Sequence, residues 1–162
     1  MILRRGLAAA ALAASLAGAL PSLRAAETAA EEATRLASAE RFSEAVGKFE
    51  EAIRGEPENA SLHLGLGLAH QSLRRYPEAL RALERAAKLA PKSADPFYSL
   101  GLLYEAASAE PAIVEEPKTD AVRRGYREKA REAWKKVLRL AKDPQRLGVA
   151  RGHLDRLAEA DP

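Results

Sequence analysis

The sequence predicts an all-α fold, about three helix-turn-helix units stacked into an α-solenoid and closed by a C-terminal capping helix. Three observations predict it. Residue types recur with one long period, helix start and stop signals bracket each half of that period, and the last stretch carries one apolar stripe at helical spacing. The 162 residues are 47% apolar, 30% charged and 5% aromatic, which is enough for one modest globular domain and too apolar for a disordered chain.

The first segment reads as an address. Arg4 and Arg5 precede an apolar and small-residue stretch from Leu7 to Leu20, then Pro21, and the first acid is Glu27. That is the order of a secretory signal peptide. A helix of about 14 residues rises about 21 Å, short of the roughly 30 Å hydrocarbon core. A signal peptide over residues 1–25, cut after Ala25, is therefore expected, with an uncleaved membrane anchor as the alternative. Export to the periplasm or the exterior follows. The chain contains no cysteine, which excludes a bacterial lipoprotein anchor, disulfides, thiolate metal sites and thiol nucleophiles. Charges break every later apolar stretch, so no transmembrane segment is expected in the mature chain.

The stretch that follows, 26–144, divides into units at 26–59, 60–93 and 94–144. Ala45, Phe49, Ala52 and Pro57 recur one period later as Ala79, Leu83, Ala86 and Pro91. His63, Leu66, Gly67 and His70 recur as Phe97, Leu100, Gly101 and Tyr104 at the same displacement. The small residues let two antiparallel helices approach closely, the large ones fill the gap, and the prolines end the second helix of each pair. Thr28 with Glu31 reads as a capping box, Pro77 as a first-turn proline, and Asp95-Pro96 as a cap followed by one. Helices are predicted at 27–39, 43–54, 60–73, 77–89, 95–108, 120–141 and 145–159.

This pattern resembles the tetratricopeptide repeat, whose period is about 34 residues and which runs aromatic-x2-Leu-Gly-x2-Tyr, then Ala-x3-Phe, a small residue and Pro. The resemblance covers about residues 26–142 and departs from the family twice. In the first unit Ala29, Glu32, Ala33 and Leu36 stand where the pattern has Trp, Leu, Gly and Tyr, as in an end repeat that faces water. In the third, Ala130 and Trp134 arrive half a period late, which places an insertion near 108–120 that contains Pro111, Ile113-Val114 and Pro117. Beyond Asp143-Pro144, residues 145–162 place Leu147, Ala150, Leu154 and Leu157 on one stripe, with Arg146, Arg151, Asp155 and Glu159 away from it, the pattern of a capping helix.

Chemistry is sparse. His63 and His70 are seven residues apart, about 10.5 Å along a helix, too far to share an ion, and both fall where the repeat has packing aromatics. Gly65-Leu66-Gly67 lacks the strand, third glycine and lysine of a phosphate loop. No nucleophile motif or carboxylate pair stands out, so no enzyme, metal or other cofactor is expected.

Charge is segregated. Residues 26–70 hold nine acids and four bases, whereas between Lys118 and Lys142 ten Lys or Arg face three acids. One reading makes this stretch, through Arg123, Arg124, Arg127, Lys135 and Lys136, a binder of anionic surfaces; the plainer one is a solvated helix face. Nucleic acid is not expected, because no aromatic platform is interleaved with the bases.

The resemblance implies a concave groove lined by the first helix of each pair. Carried onto this chain, its lining places fall on Ser61, Leu64, Leu68 and Gln71, then Asp95, Tyr98, Leu102 and Glu105. Leu64, Leu68, Tyr98 and Leu102 then form an apolar strip rimmed by polar residues, a seat for a protein or peptide partner. The family's clamp for acidic C-termini is absent, since Ala30, Thr34, Gly65, Asp95 and Ser99 occupy its places. The expected function is a non-enzymatic interaction scaffold; the alternatives are a homo-oligomeric or envelope-associated structural subunit, or the anionic-surface binder.

Overall fold

The computed structural model describes residues 24–25 and 28–159. The expected signal peptide lies outside the described residues except for Arg24 and Ala25. Every described element is helical: α1 (residues 28–38), α2 (Phe42–Gly55), α3 (Ala60–Ser72), α4 (Tyr76–Leu89), α5 (Asp95–Ala109), a 3-10 turn (Pro111–Val114), α6 (Asp120–Leu140) and α7 (Pro144–Glu159). α2 to α6 begin and end, α1 ends and α7 begins, within one residue of the predicted bounds. The fold is all-α, of the helix-turn-helix repeat class, in two compact units divided between Glu58 and Asn59.

In the first unit Ala29, Ala33 and Leu36 of α1 and Ala45, Val46, Phe49 and Ala52 of α2 are buried. The expected capping box is not formed. The Thr28 hydroxyl is a donor, to the carbonyls of Arg24 (3.2 Å) and Ala25 (2.9 Å), so the oxygen expected to accept an amide is turned toward the preceding turn instead.

The second unit holds α3 to α7. Asn59 caps α3 by accepting from the Ser61 amide at 3.1 Å, Thr119 caps α6 by accepting from Val122 at 3.2 Å, and the Asp143 carboxylate accepts from Gln145 and Arg146 at the start of α7. Ala94, not Asp95, takes the cap position of α5, and the Asp95 carboxylate turns to Arg146. The core joins Leu83, Leu100, Leu103, Tyr104, Ala130, Trp134, Val137, Ala150 and Leu157. Leu66, read as a packing residue, is only half buried; Leu62 on the same helix is 5% exposed and takes the buried role.

The turns within the helix pairs share one design. Glu40, Arg74 and Glu115 have φ of 58°, 57° and 62°, the left-handed region. After each, the next amide reaches back five residues: Arg41 to the Leu36 carbonyl at 2.9 Å, Arg75 to His70 at 2.9 Å, Glu116 to Pro111 at 3.2 Å. This is the Schellman closure of a helix C-terminus, made here without glycine. The first two closures are one repeat period apart, whereas the third comes after the 3-10 turn. The insertion is therefore folded in, not hung from the pair as a bare loop. Pro111 and Val114 are buried, Glu110 receives Lys118 at 3.1 Å, and Arg123 Nη1 donates to the last carbonyls of α5, those of Ser108 (3.4 Å) and Ala109.

Candidate functional site

Two short helices of the second unit, α3 and α5, expose a common strip. The repeat positions buried between the helices are filled by Leu83 and Leu100, which leaves Leu64, Leu68, Tyr98 and Leu102 on the other face. Leu68 (43% exposed) and Leu102 (37%) are the exposed large apolar side chains among the described residues. Beside them lies a depression of about 450 Å³, lined by Leu64, Leu68, Asp95, Tyr98 and Ser99 and, from the start of α7, Arg146 and Val149.

The structure brings Leu64, Leu68, Asp95 and Tyr98 of the expected strip into that one depression. Leu102 continues the strip one turn beyond Tyr98 on α5, while Ser61, Gln71 and Glu105 do not line the hollow. Glu105 is engaged inside the chain. Its Oε1 accepts from Trp134 Nε1 at 2.5 Å and lies 2.7 Å from His153 Nδ1, with Glu105 and His153 side chains 22% and 15% exposed. The His153 ring stacks on Trp134, centroids 4.2 Å apart at 18°, and Arg156 Nη2 stands 2.8 Å from its Nδ1. His153, which carries no argument in the sequence, is thus one of the residues that fasten α7 to α5 and α6.

The wall supplied by α7 is a second feature that sequence reasoning missed. Arg146 forms an ion pair with Asp95 and lies 6.0 Å from the Tyr98 ring, and Tyr98 meets Trp134 edge to face with centroids 5.3 Å apart. The capping helix therefore both closes the core, through Ala150 and Leu157, and frames the strip. No residue of the insertion lines the depression.

The basic stretch is largely spoken for. Arg123 holds the α5 terminus, Lys135 pairs with Glu132 at 2.8 Å, Lys136 lies 5.4 Å from the Phe97 ring, and Arg127 is half buried. Arg124 is exposed. His63 is half buried and His70 buried, as expected of packing positions. Among the described residues no three His, Asp or Glu side chains converge to hold a metal ion, and no helix is long and apolar enough to cross a membrane.

The fold and strip together define a helical-repeat protein of paired antiparallel helices. The pattern of the tetratricopeptide repeat matches residues 30–94 and 68–112, and the chain belongs to that family. Among solved structures it is similar to the Arabidopsis OM64 TPR domain, at 17% identity and a TM-score of 0.67, covering 83% of this chain and 98% of that one. It is also similar to a putative protein binding protein from Bacteroides ovatus, at 18% identity and a TM-score of 0.62, covering 83% of this chain and 72% of that one. No curated protein matches the sequence.

Proposed function

We propose that the chain is an exported, non-enzymatic protein-interaction scaffold that seats a segment of a partner protein on the strip formed by Leu64, Leu68, Tyr98 and Leu102. The observation that carries this is the exposure of Leu68 and Leu102 beside a depression that Tyr98 and Leu64 help to line. Two leucines held in water next to a concave apolar surface cost free energy that a partner's side chain recovers. Export rests on Arg4-Arg5 followed by the Leu7–Leu20 stretch. The description of the Bacteroides ovatus neighbour as a putative protein-binding protein agrees with this reading.

A photo-crosslinking residue placed at Leu68, and separately at Arg124, tests it in the native cell envelope. The expected result is a discrete adduct with another protein from position 68 only. An adduct of the chain with itself from position 68 makes the strip a self-association surface. Adducts from position 124 alone, abolished by raised salt, move the contact to the basic helix.

A further inference from the structure

The strip carries a charge device at one end. Three charged side chains line the hollow beside Leu64, Leu68 and Tyr98: the carboxylates of Asp95 and Asp143 and the guanidinium of Arg146. We propose that Asp95 sets the specificity of this seat. By holding Arg146 it makes the hollow a place for a large, uncharged apolar side chain of a partner segment and bars acidic segments. The inference rests on the reading of the strip as a seat for such a segment.

Each charge is already answered inside the chain. Asp95 opens α5, where a helix N-terminus favours an acid. Its Oδ1 accepts from Arg146 Nη1, and its Oδ2 accepts from the Ser93 hydroxyl at 3.3 Å. The two oxygens of Asp143 accept from the amides of Gln145 and Arg146, each at 3.2 Å, so the start of α7 offsets that charge. Among the described residues that line the hollow Arg146 is the one cation, and it is spent on Asp95. No charge there waits for an opposite charge on a ligand.

The apolar walls decide what enters. Leu64, Leu68, Tyr98 and Val149 offer a side chain of their own kind the free energy of leaving water. A carboxylate in the same place would put three acids around one guanidinium and compete with Asp95 for it. A lysine or arginine would stand beside Arg146 and find both carboxylates engaged. The side chains of Asp95 and Arg146 are about half exposed, so their pair adds little to the stability of the free chain. Once a partner covers the pair and removes water from it, a third charge beside it costs more. Arg146 Cζ lies 6.0 Å from the centroid of the Tyr98 ring, so without Asp95 the guanidinium would stay beside the strip with its charge unmatched.

Selection of short random peptides displayed against the full chain tests this. The parent is expected to enrich leucine, isoleucine and phenylalanine and to deplete acidic and basic residues relative to the library. Asp95→Asn, with its melting temperature near the parent's, should enrich acids next to the same apolar anchors. Such peptides should bind it at least about tenfold more tightly than they bind the parent, the fold-change of one charge-assisted hydrogen bond. Arg146→Gln added to Asp95→Asn should restore the parental preference, and Leu68→Glu should bind none of the selected peptides. Enrichment of charged residues by the parent, or the same selection by parent and Asp95→Asn, with binding lost in Leu68→Glu, would overturn the role of Asp95 and leave the seat standing. Peptides that bind Leu68→Glu at parental strength, or selection of none by the parent, would overturn the seat and this inference with it.

Discussion

Trp134 fills the space that Gly101 leaves empty: a Cβ added at position 101 would stand 2.6 Å from the indole Cε2. One period earlier, a Cβ on Gly67 would stand 2.7 Å from Leu83 Cγ. The same glycine thus receives the second helix of both pairs. In the third unit the receiving partner comes half a period late, so the insertion displaces the second helix along the sequence and leaves its seat on the first intact.

Gly101→Ala should therefore destabilise the protein although alanine is the better helix former. The overpacking, about 1–3 kcal/mol, outweighs the roughly 1 kcal/mol of helix propensity gained. Gly125, in α6, has no heavy atom within 4 Å of an added Cβ, so Gly125→Ala should stabilise by about 0.5–1 kcal/mol. Urea unfolding of the two variants, read against the parent, measures both signs.

Glu105→Ala leaves the Trp134 indole N–H without its acceptor and cuts the tie from His153 to α5. A loss of about 1–3 kcal/mol is expected, the cost of an unsatisfied, mostly buried donor. Glu105→Gln keeps an acceptor for the indole and should lose less. If Glu105 instead faced a partner from an unengaged position, both variants would melt with the parent.

Removal of α7 after Pro144 uncovers Trp134, the one tryptophan of the chain. Ala150 and Leu157 leave a core in which they are fully or nearly buried, so the loss should reach on the order of 3 kcal/mol. Tryptophan emission should shift to the red at once, before any unfolding, because His153 no longer stacks on the ring. Unchanged emission and melting temperature would deny the capping role.

Burial, with Glu84 beside it, holds the Tyr104 phenol well above its ordinary range, and burial raises Tyr126 as well. The folded chain keeps protons that the unfolded chain releases, so this contribution is complete below about pH 10 and is lost as the pH rises further. Tyr104→Phe should be less stable at pH 7 by about 1 kcal/mol, the net value of its hydrogen bond to Glu84, yet lose stability less steeply above pH 10. Unfolding midpoints from pH 7 to 11 give both quantities.

The helices were legible because their signals are local. Proline stops, small residues at fixed displacement and the stripe on α7 each lie within one period, and α2 to α6 fall where they place them. The strip's apolar residues, Leu64, Leu68, Tyr98 and Leu102, were named from the lining places that the repeat resemblance implies. The misses are contacts that no period encodes. Trp134 and His153 meet Glu105 across 29 and 48 residues, and Arg146 meets Asp95 across 51. Such meetings depend on how helices stack, which an ion pair or ring stack does not announce in sequence. The left-handed turns were hidden because Glu40, Arg74 and Glu115 hold φ values that sequence reading reserves for glycine.

The strip separates residues that hold helices together from residues that face outward. Leu83 and Leu100, 0% and 3% exposed, should each cost about 2–5 kcal/mol when cut to alanine, whatever the protein binds. Leu68→Glu and Leu102→Glu should leave the melting temperature nearly unchanged, because both side chains already meet water in the free chain. Leu64 is half buried and cannot serve as the same probe. If a partner covers the strip, each glutamate would be desolvated without a counter-charge at the centre of the contact, and capture should fall by more than about tenfold. Capture by both variants at parental strength would place the partner elsewhere. Unfolding of either would mean that the leucine packs against something the free chain supplies, which its exposure contradicts.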